Sequence, residues 1–261
     1  AHEIDRQPSV WTDMAAFLYR TYVAVLCQNY TVLSRPSCQI NNASGTLLMG
    51  LVCFCDWIAS NTTFFPYADA ATAPDEYLAS AKMKAERALE TLRIGRWHPE
   101  STPRSFEHLF PGKPPRPAQK RVAELAASSN PPHLVILELP MGSGKTEAAL
   151  HLQNHWAASL CQRGAYFALP TMASSNQMYG RVRGALEQSC DAANLHLLHG
   201  RASFVEDYAS TLIMQSDRCD GDEMDASGVA AVEWFTRPKR GLLGDFAVGT
   251  VDQVFLSVLQ A

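Results

Sequence analysis

Two rhythms of apolar residues divide this chain near residue 100. Ahead of that point the apolar positions recur at helical spacing. Val10, Trp11, Met14, Phe17, Leu18 and Val25 predict a helix with one buried face within residues 9–33. Residues 47–60 are apolar almost throughout, which predicts a helix buried on all sides, with Ser44 or Thr46 as its cap. In residues 75–94, Tyr77, Ala81, Ala85, Ala88, Leu89 and Leu92 stand among Lys, Glu and Arg, the pattern of an amphipathic helix with a solvated outer face. Beyond residue 117 short apolar runs alternate with helical stretches. The runs 134–139, 165–170, 195–199 and 246–251 predict strands. Residues 118–128, 146–160 and 172–188 predict helices, and another starts at 252. Such alternation means a parallel sheet covered on both faces. Residues 216–225 are polar and acidic and predict a surface loop.

Between the two rhythms lie Pro99, Pro103, Pro111, Pro114, Pro115 and Pro117. That density forbids a continuous helix and marks a linker or a wrapping extended segment. The expected organisation is a helical part over 1–95, a proline-rich linker over 96–116 and an α/β part over 117–261.

Composition narrows the picture little. With 47% hydrophobic and 18% charged residues the chain is ordinary for a soluble globular protein. Its 22 Lys and Arg against 26 Asp and Glu leave a net charge of −4. No basic field covers the chain, so any nucleic acid must be held in local grooves. The seven cysteines form no CxxC pair, and Cys53 and Cys55 fall in an apolar run. They read as buried free thiols of a cytoplasmic protein. The run 47–55 is stopped by Asp56 and reads as too short to span a bilayer, so no membrane is expected. The start, Ala-His-Glu-Ile-Asp, lacks both Met and the pattern of a signal peptide, and reads as a fragment or a processed start. Asp56 itself would be a buried carboxylate in need of a hydrogen-bond donor, a cation or a metal, and the hydrogen bond is the simplest of these.

The strongest chemical signal follows the run 134–139. Pro140-Met141-Gly142-Ser143-Gly144-Lys145-Thr146 leads straight into strong helix formers. Strand, tight loop and helix in that order form the context of a phosphate-binding loop. Gly142 and Gly144 let backbone N–H groups turn inward around a polyphosphate with no Cβ in the way. The helix beginning there aims unpaired N–H groups and its positive dipole end at the same anion. Lys145 is placed to reach the β- and γ-phosphates, and the Thr146 hydroxyl to bind Mg²⁺. The motif usually opens on Gly or Ala, and this chain has Leu139 in that place. Gln119, some twenty residues upstream, carries an amide that can pair with adenine. Thr171 and Thr250 each stand where a strand gives way to a helix, positions that present hydroxyl and N–H donors to nucleic-acid phosphates.

Taken together, five strings resemble the helicase–nuclease family of type I CRISPR systems. They are Leu109-Phe-Pro-Gly with Pro115-Arg-Pro-Ala-Gln119, Pro140-Met-Gly-Ser-Gly-Lys-Thr-Glu-Ala-Ala149, Leu169-Pro-Thr171, Leu198-His-Gly200 and Ala247-Val-Gly-Thr-Val-Asp-Gln253. Cys55-Asp-Trp-Ile-Ala-Ser-Asn61 is similar to the last helix of that family's HD nuclease domain. The resemblance implies a fold of two parts: the helical C-terminal part of an HD-type domain, then an incomplete RecA-like P-loop domain. It implies ATP and Mg²⁺ at Gln119, Met141, Gly142, Ser143, Gly144, Lys145 and Thr146, with Lys145 and Thr146 catalytic. It implies single-stranded DNA at Thr171 and Thr250, and a divalent transition metal in the complete HD site with Asp56 as a ligand. The partner it implies is the Cascade surveillance complex with its guide RNA.

Some of the family's pattern is missing. There is no His-Asp doublet, and His2 is the only histidine ahead of Asp56. The Walker-B acid of the family lies on an apolar strand, whereas Asp75-Glu76 and Asp222-Glu223 sit in polar surroundings. The expectation is a piece of an ATP-dependent helicase–nuclease that binds ATP weakly, turns it over poorly and has no nuclease activity alone. Two alternatives stay open: a non-catalytic nucleotide-binding or interaction module, and a fragment of another superfamily 2 helicase.

Overall fold

The computed structural model describes residues 16, 20, 41–69, 72–128, 134–189, 192–213, 228–237 and 240–259. The helix expected within 9–33 therefore lies outside the described residues, apart from Ala16 and Arg20, which are both helical. The acidic stretch 216–225 lies outside them altogether. The chain divides into two compact units, residues 1–88 and 89–261.

In the first unit, helix α1 spans Asn42–Ala59. It is capped by Asn41, whose Oδ1 accepts the Ser44 N–H at 2.8 Å, so Ser44 lies inside the first turn and is not the cap. Helix α2 spans Pro74–Thr91 and runs across the division between the units. Proline at its first position, then Asp75 and Glu76, suit the unpaired N–H groups and the positive dipole end there.

Three expectations for α1 are corrected. It is not buried on all sides: Leu47 is 76% exposed, and Leu48, Met49, Leu51 and Val52 are exposed with it, while Ile58 is buried. Uniform apolarity says that a helix avoids water, but burial also needs neighbours. Cys53 and Cys55 are exposed free thiols rather than buried ones. Asp56 is exposed too, and its Oδ1 accepts the Ser60 hydroxyl at 3.1 Å. The helix is also longer than the run 47–55. With 18 residues and a mean hydropathy of 1.3, it is long and apolar enough to cross a membrane by length and composition.

The second unit is built on a five-stranded sheet. Its strands are β1 (Ala165–Leu169), β2 (Ala192–Leu198), β3 (Leu212–Ile213), β4 (Gly228–Val232) and β5 (Phe246–Thr250). Their order is β1-β5-β2-β4-β3, and every pair is parallel. The sequence pattern foresaw β1, β2 and β5 but not β3 or β4. Helix α3 spans Pro117–Ala127, α4 Lys145–Leu160, α5 Met172–Ser189 and α6 Val251–Leu259.

Alternation along the strands divides the core. Ala193, Leu195, Leu197, Phe246 and Val248 cluster with Leu150 and Ala157 of α4 and with Tyr179, Val182 and Leu186 of α5. This cluster seats both helices on the sheet. His196, from the opposite face of β2, packs against Phe235 with ring centroids 5.0 Å apart. Residues 96–116 fall in this second unit and wrap against it. Trp97 meets Phe246 edge to face at 4.8 Å, and Phe106 and Leu109 are buried.

The strand expected at 134–139 has no ladder partner among the described residues. It keeps the period-two alternation of a strand. Leu134 and Ile136 are 88% and 76% exposed, while Val135 and Leu137 pack on Val122, Ala126, Ala148 and Leu152 from α3 and α4. Apolar alternation sets which side chains turn inward, but a strand is completed only by hydrogen bonds to a neighbour.

The N-terminal edge of the sheet carries a polar network. Asp245 accepts the Asn194 backbone N–H at 3.1 Å, and Asn194 Nδ2 donates to the Leu92 carbonyl at 3.0 Å. The buried Arg93 donates to the Gly228 carbonyl at 2.6 Å. Burial pushes Asp245 up to about 6, against the pull of the Asn194 N–H and of Arg93, His98 and Arg163. The folded protein thus keeps this proton to a higher pH than the unfolded chain does. Stability is therefore expected to fall as pH rises from 3.8 to about 6 and to level off above. Asp245→Asn, which still accepts from Asn194, should remove this decline, as read by urea midpoints across that window.

Candidate functional site

Helix α4 opens without a side-chain cap. Its N-cap is Gly144, at φ 87°, and Gly142 stands at φ 74° two residues earlier. Both φ values lie in the left-handed region that glycine adopts without strain. Gly144 gives the first turn of α4 no side-chain cap, an arrangement that can receive an anion. Ser143 closes the turn from within, its hydroxyl donating to the Pro140 carbonyl at 2.7 Å. Met141 stands exposed at the loop's tip.

Two residues from the start of α3 brace the loop. Gln119 is buried, and its Oε1 accepts the Arg116 N–H at 2.8 Å while its Nε2 donates to the Gly144 carbonyl at 3.0 Å. The amide expected to meet adenine therefore ties α3 to the loop in this structure. Arg116 adds a hydrogen bond from its guanidinium to the Gly142 carbonyl. A Cβ on Gly144 would lie 2.2 Å from Gln119 Nε2, so the brace and the glycine need each other.

These residues line a cavity of about 550 Å³. Lys113, Arg116, Lys145 and Arg181 contribute four cations to its wall, and Glu147 is the one carboxylate among the lining residues. Lys145 folds back, with its Nζ donating to the Leu139 carbonyl at 2.6 Å. Arg181, from the middle of α5, donates through one nitrogen to Thr146 Oγ1 at 2.9 Å and through the other to Glu147 Oε1 at 2.8 Å. Burial alone would raise the Glu147 carboxyl. Its own backbone N–H and the Arg181 guanidinium outweigh that and hold it below the ordinary value. A wall with three more positive than negative side chains, set around uncapped N–H groups, suits a polyphosphate.

The C-terminal edge of the sheet presents the second group of expected residues. Thr171 and Ser174 satisfy each other at the start of α5: Ser174 N–H donates to Thr171 Oγ1 at 3.2 Å and Thr171 N–H to Ser174 Oγ at 3.3 Å. Thr171 is exposed. Thr250 is buried, and its hydroxyl donates to Asp252 at 3.1 Å, while its carbonyl accepts the Tyr166 hydroxyl at 2.9 Å. His199, next after β2, pairs with Asn176 of α5 at 2.7 Å, and burial holds it below the usual histidine value. So the structure brings Gln119, Gly142, Gly144, Lys145 and Thr146 to one cavity, and Thr171 and Thr250 to neighbouring strand ends. Asp56 belongs to the other unit. No group of three or more His, Cys, Asp or Glu that could hold a metal occurs among the described residues.

Sequence reading missed Arg181, Arg116 and Glu147. Arg116 stands inside the string that drew attention to Gln119, and Glu147 directly follows Thr146, so both were within reach. Nothing in the local sequence marks Arg181.

The parallel sheet, with a glycine loop opening onto a cavity beside it, is the fold of an incomplete RecA-like P-loop domain. Comparison with known proteins identifies its relatives. Residues 2–65 match the family model described as Cas3, HD domain, and that stretch includes all of α1. The chain is 39% identical over 218 residues to the CRISPR-associated endonuclease/helicase Cas3 of Thermus thermophilus, covering 82% of this chain and 23% of the relative. It is 32% identical over 234 residues to the Cas3 nuclease/helicase of Streptococcus thermophilus, covering 85% of this chain and 24% of that one. The crystal structure of T. fusca Cas3 with ADP superposes at a TM-score of 0.73 and 27% identity, over 94% of this chain and 27% of that chain. The ATP form of the same protein gives 0.72 and 26% over 98% of this chain and 28% of that chain. The chain is thus related to the Cas3 nuclease/helicases, as its strings imply, and spans about a quarter of the length of the curated relatives it matches.

The loop's dependence on its glycine can be measured. Gly144→Ala forces a side chain into left-handed backbone, at a cost of about 1–2 kcal/mol, and evicts Gln119 from its brace. The expected outcome is a urea midpoint lowered accordingly, with Gly50→Ala, whose Cβ meets nothing within 4 Å, as the control.

Proposed function

We propose that this chain carries the ATP-phosphate site of an ATP-dependent single-stranded-DNA translocase coupled to an HD-type nuclease, which degrades invading DNA in type I CRISPR interference. The organisation that goes with it is an HD-type part over 1–95, a linker over 96–116 and the front of a first RecA-like domain over 117–261. The observation that carries this reading is the cavity at the glycine loop, with four cations and a single carboxylate around an uncapped helix end. The relatives' names, endonuclease/helicase Cas3, and the titles of T. fusca Cas3 structures with ADP and ATP, support the same ligand.

The residues divide the work by position. Backbone N–H groups of residues 143–146 meet phosphate oxygens, with no Cβ at Gly142 or Gly144 to hold them off. Lys145 exchanges its carbonyl contacts for the charge of the β- and γ-phosphates. Thr146 offers its hydroxyl oxygen to Mg²⁺, which when bound neutralises charge between the terminal phosphates. Gln119 holds the loop through the Gly144 carbonyl. Thr171 and the backbone N–H groups near Thr250 face the backbone of a DNA strand rather than its bases, so binding is sequence-tolerant. Choice of target then belongs to the guide RNA of the Cascade partner.

The described residues do not fit the nuclease metal. Asp56 is exposed, accepts from Ser60 and has no cluster of ligands around it among the described residues, so no chemistry is assigned to it. A second reading, a nucleotide-binding module without turnover, is favoured by one observation. Glu147, the single carboxylate among the cavity-lining residues, is ion-paired to Arg181 instead of standing free to orient water.

Calorimetric titration of ADP with Mg²⁺ tests the site. Lys145→Ala is expected to weaken binding at least about tenfold, a loss of roughly 1.4 kcal/mol. Equal affinity in the two proteins would discard the phosphate-loop assignment.

A further inference from the structure

Arg181 engages the hydroxyl that a phosphate loop would offer to a nucleotide's metal. Its guanidinium donates to Thr146 Oγ1 at 2.9 Å, and that oxygen is the one a phosphate loop offers to Mg²⁺. A hydroxyl oxygen that already accepts from a guanidinium has one of its two lone pairs engaged, and a second cation on the same oxygen is repelled by the first. The second arm of the same fork holds Glu147 Oε1 at 2.8 Å, so the guanidinium is fixed by two anchors and does not simply drift past. The ion pair is half-exposed on the arginine side, with side-chain exposures of 50% for Arg181 and 17% for Glu147. An exposed pair of this kind is weak and can be exchanged for a better partner.

We propose that Arg181 is a positioning residue that keeps Thr146 closed to metal until a nucleotide arrives, and then hands the hydroxyl to Mg²⁺. This rests on the phosphate-site reading above. The guanidinium holds Thr146 and Glu147 in place among the other cations of the wall. When phosphates enter, they supply a competing set of anionic acceptors. Arg181 releases Thr146 and stays within the cavity, where it adds its own charge to the phosphates.

The placement also links two edges of the domain. Arg181 belongs to α5, whose first turn begins at Thr171, at the C-terminal end of β1. Nearly three helical turns separate the two residues. Tyr179, Val182 and Leu186 of the same helix are buried against the sheet, so it moves as a packed rod rather than as a loop. A strand of DNA drawing on Thr171 and a nucleotide drawing on Arg181 therefore act on one rigid element.

The test is ADP binding by calorimetry at stepped Mg²⁺ concentrations, with the unsubstituted chain, R181A and R181K. For R181A the expected signature is two opposite movements. ADP without metal binds about threefold or more weaker, because one cation is lost from the wall. The Mg²⁺ concentration that half-restores binding falls by about the same factor, because Thr146 is already open. R181K keeps the charge but loses the fork, so it retains the metal-free affinity while its Mg²⁺ midpoint still falls. An R181A midpoint that is unchanged or raised would overturn the proposal, and so would parallel loss in both conditions. A melting temperature matching the unsubstituted chain guards against misfolding, and if R181A fails this check R181K alone decides. Lys145→Ala separates the two readings. If it leaves ADP binding intact, or the unsubstituted chain binds no ADP, the phosphate site itself falls; if it abolishes binding while the R181A midpoint stays put, only the role of Arg181 falls.

Discussion

Unpaired backbone N–H groups at the start of α4 set the terms for everything around them. A helix end usually finds an oxygen from a Ser, Thr, Asp or Asn just ahead of it. Here the position belongs to Gly144, which has no side chain to offer. The donors must be answered from outside, and the surrounding residues are arranged for that. Gln119 and Arg116 hold carbonyls of the loop from α3, which fixes the loop's shape beside the cavity. Lys145 donates to the Leu139 carbonyl. The loop, its braces and its cations form a single electrostatic arrangement with a positive excess.

The two edges of the parallel sheet deal with polarity in different ways. At the N-terminal edge, Asn194, Asp245 and Arg93 close on each other and on backbone carbonyls, and the segment following α2 is fastened there. Burial there outweighs the Asn194 N–H and the nearby cations and raises the Asp245 carboxyl to about 6. At the C-terminal edge the polar groups are left nearer to solvent. Thr171, Ser174, His199 and Asn176 make short local pairs which a ligand can replace. Parallel strands place every such group on one rim, and the fold thereby separates anchoring from exchange.

Local chemistry explains what could be read from sequence. Glycines flanking Ser143, with Lys145 and Thr146 behind them, specify a loop whatever surrounds it, and β1, β2 and β5 announce themselves by short, largely apolar runs. The rest depended on distant neighbours. Gly228–Val232 is a strand because it lies between β2 and β3, while its alanines and glycine carry little strand preference. Leu47, Leu48 and Met49 are apolar enough to suggest burial, yet exposure is decided by what packs on them. Gln119 was noticed for the base it could read, and its tie to Gly144 needed the crossing of α3 and α4. Arg181 lies 35 residues past Thr146 and meets it only because α4 and α5 share one face of the sheet.

The lone segment 134–139 carries a consequence for handling the protein. Its side chains alternate as a strand's do, Leu134 and Ile136 stand in water, and its backbone donors and acceptors have no ladder among the described residues. Leu-Val-Ile-Leu-Glu-Leu combines high β-propensity with a single charge, and it contains no proline. Molecules crowded together would add strands to one another here, in the manner of cross-β assembly, which makes this hexapeptide the place where precipitation starts.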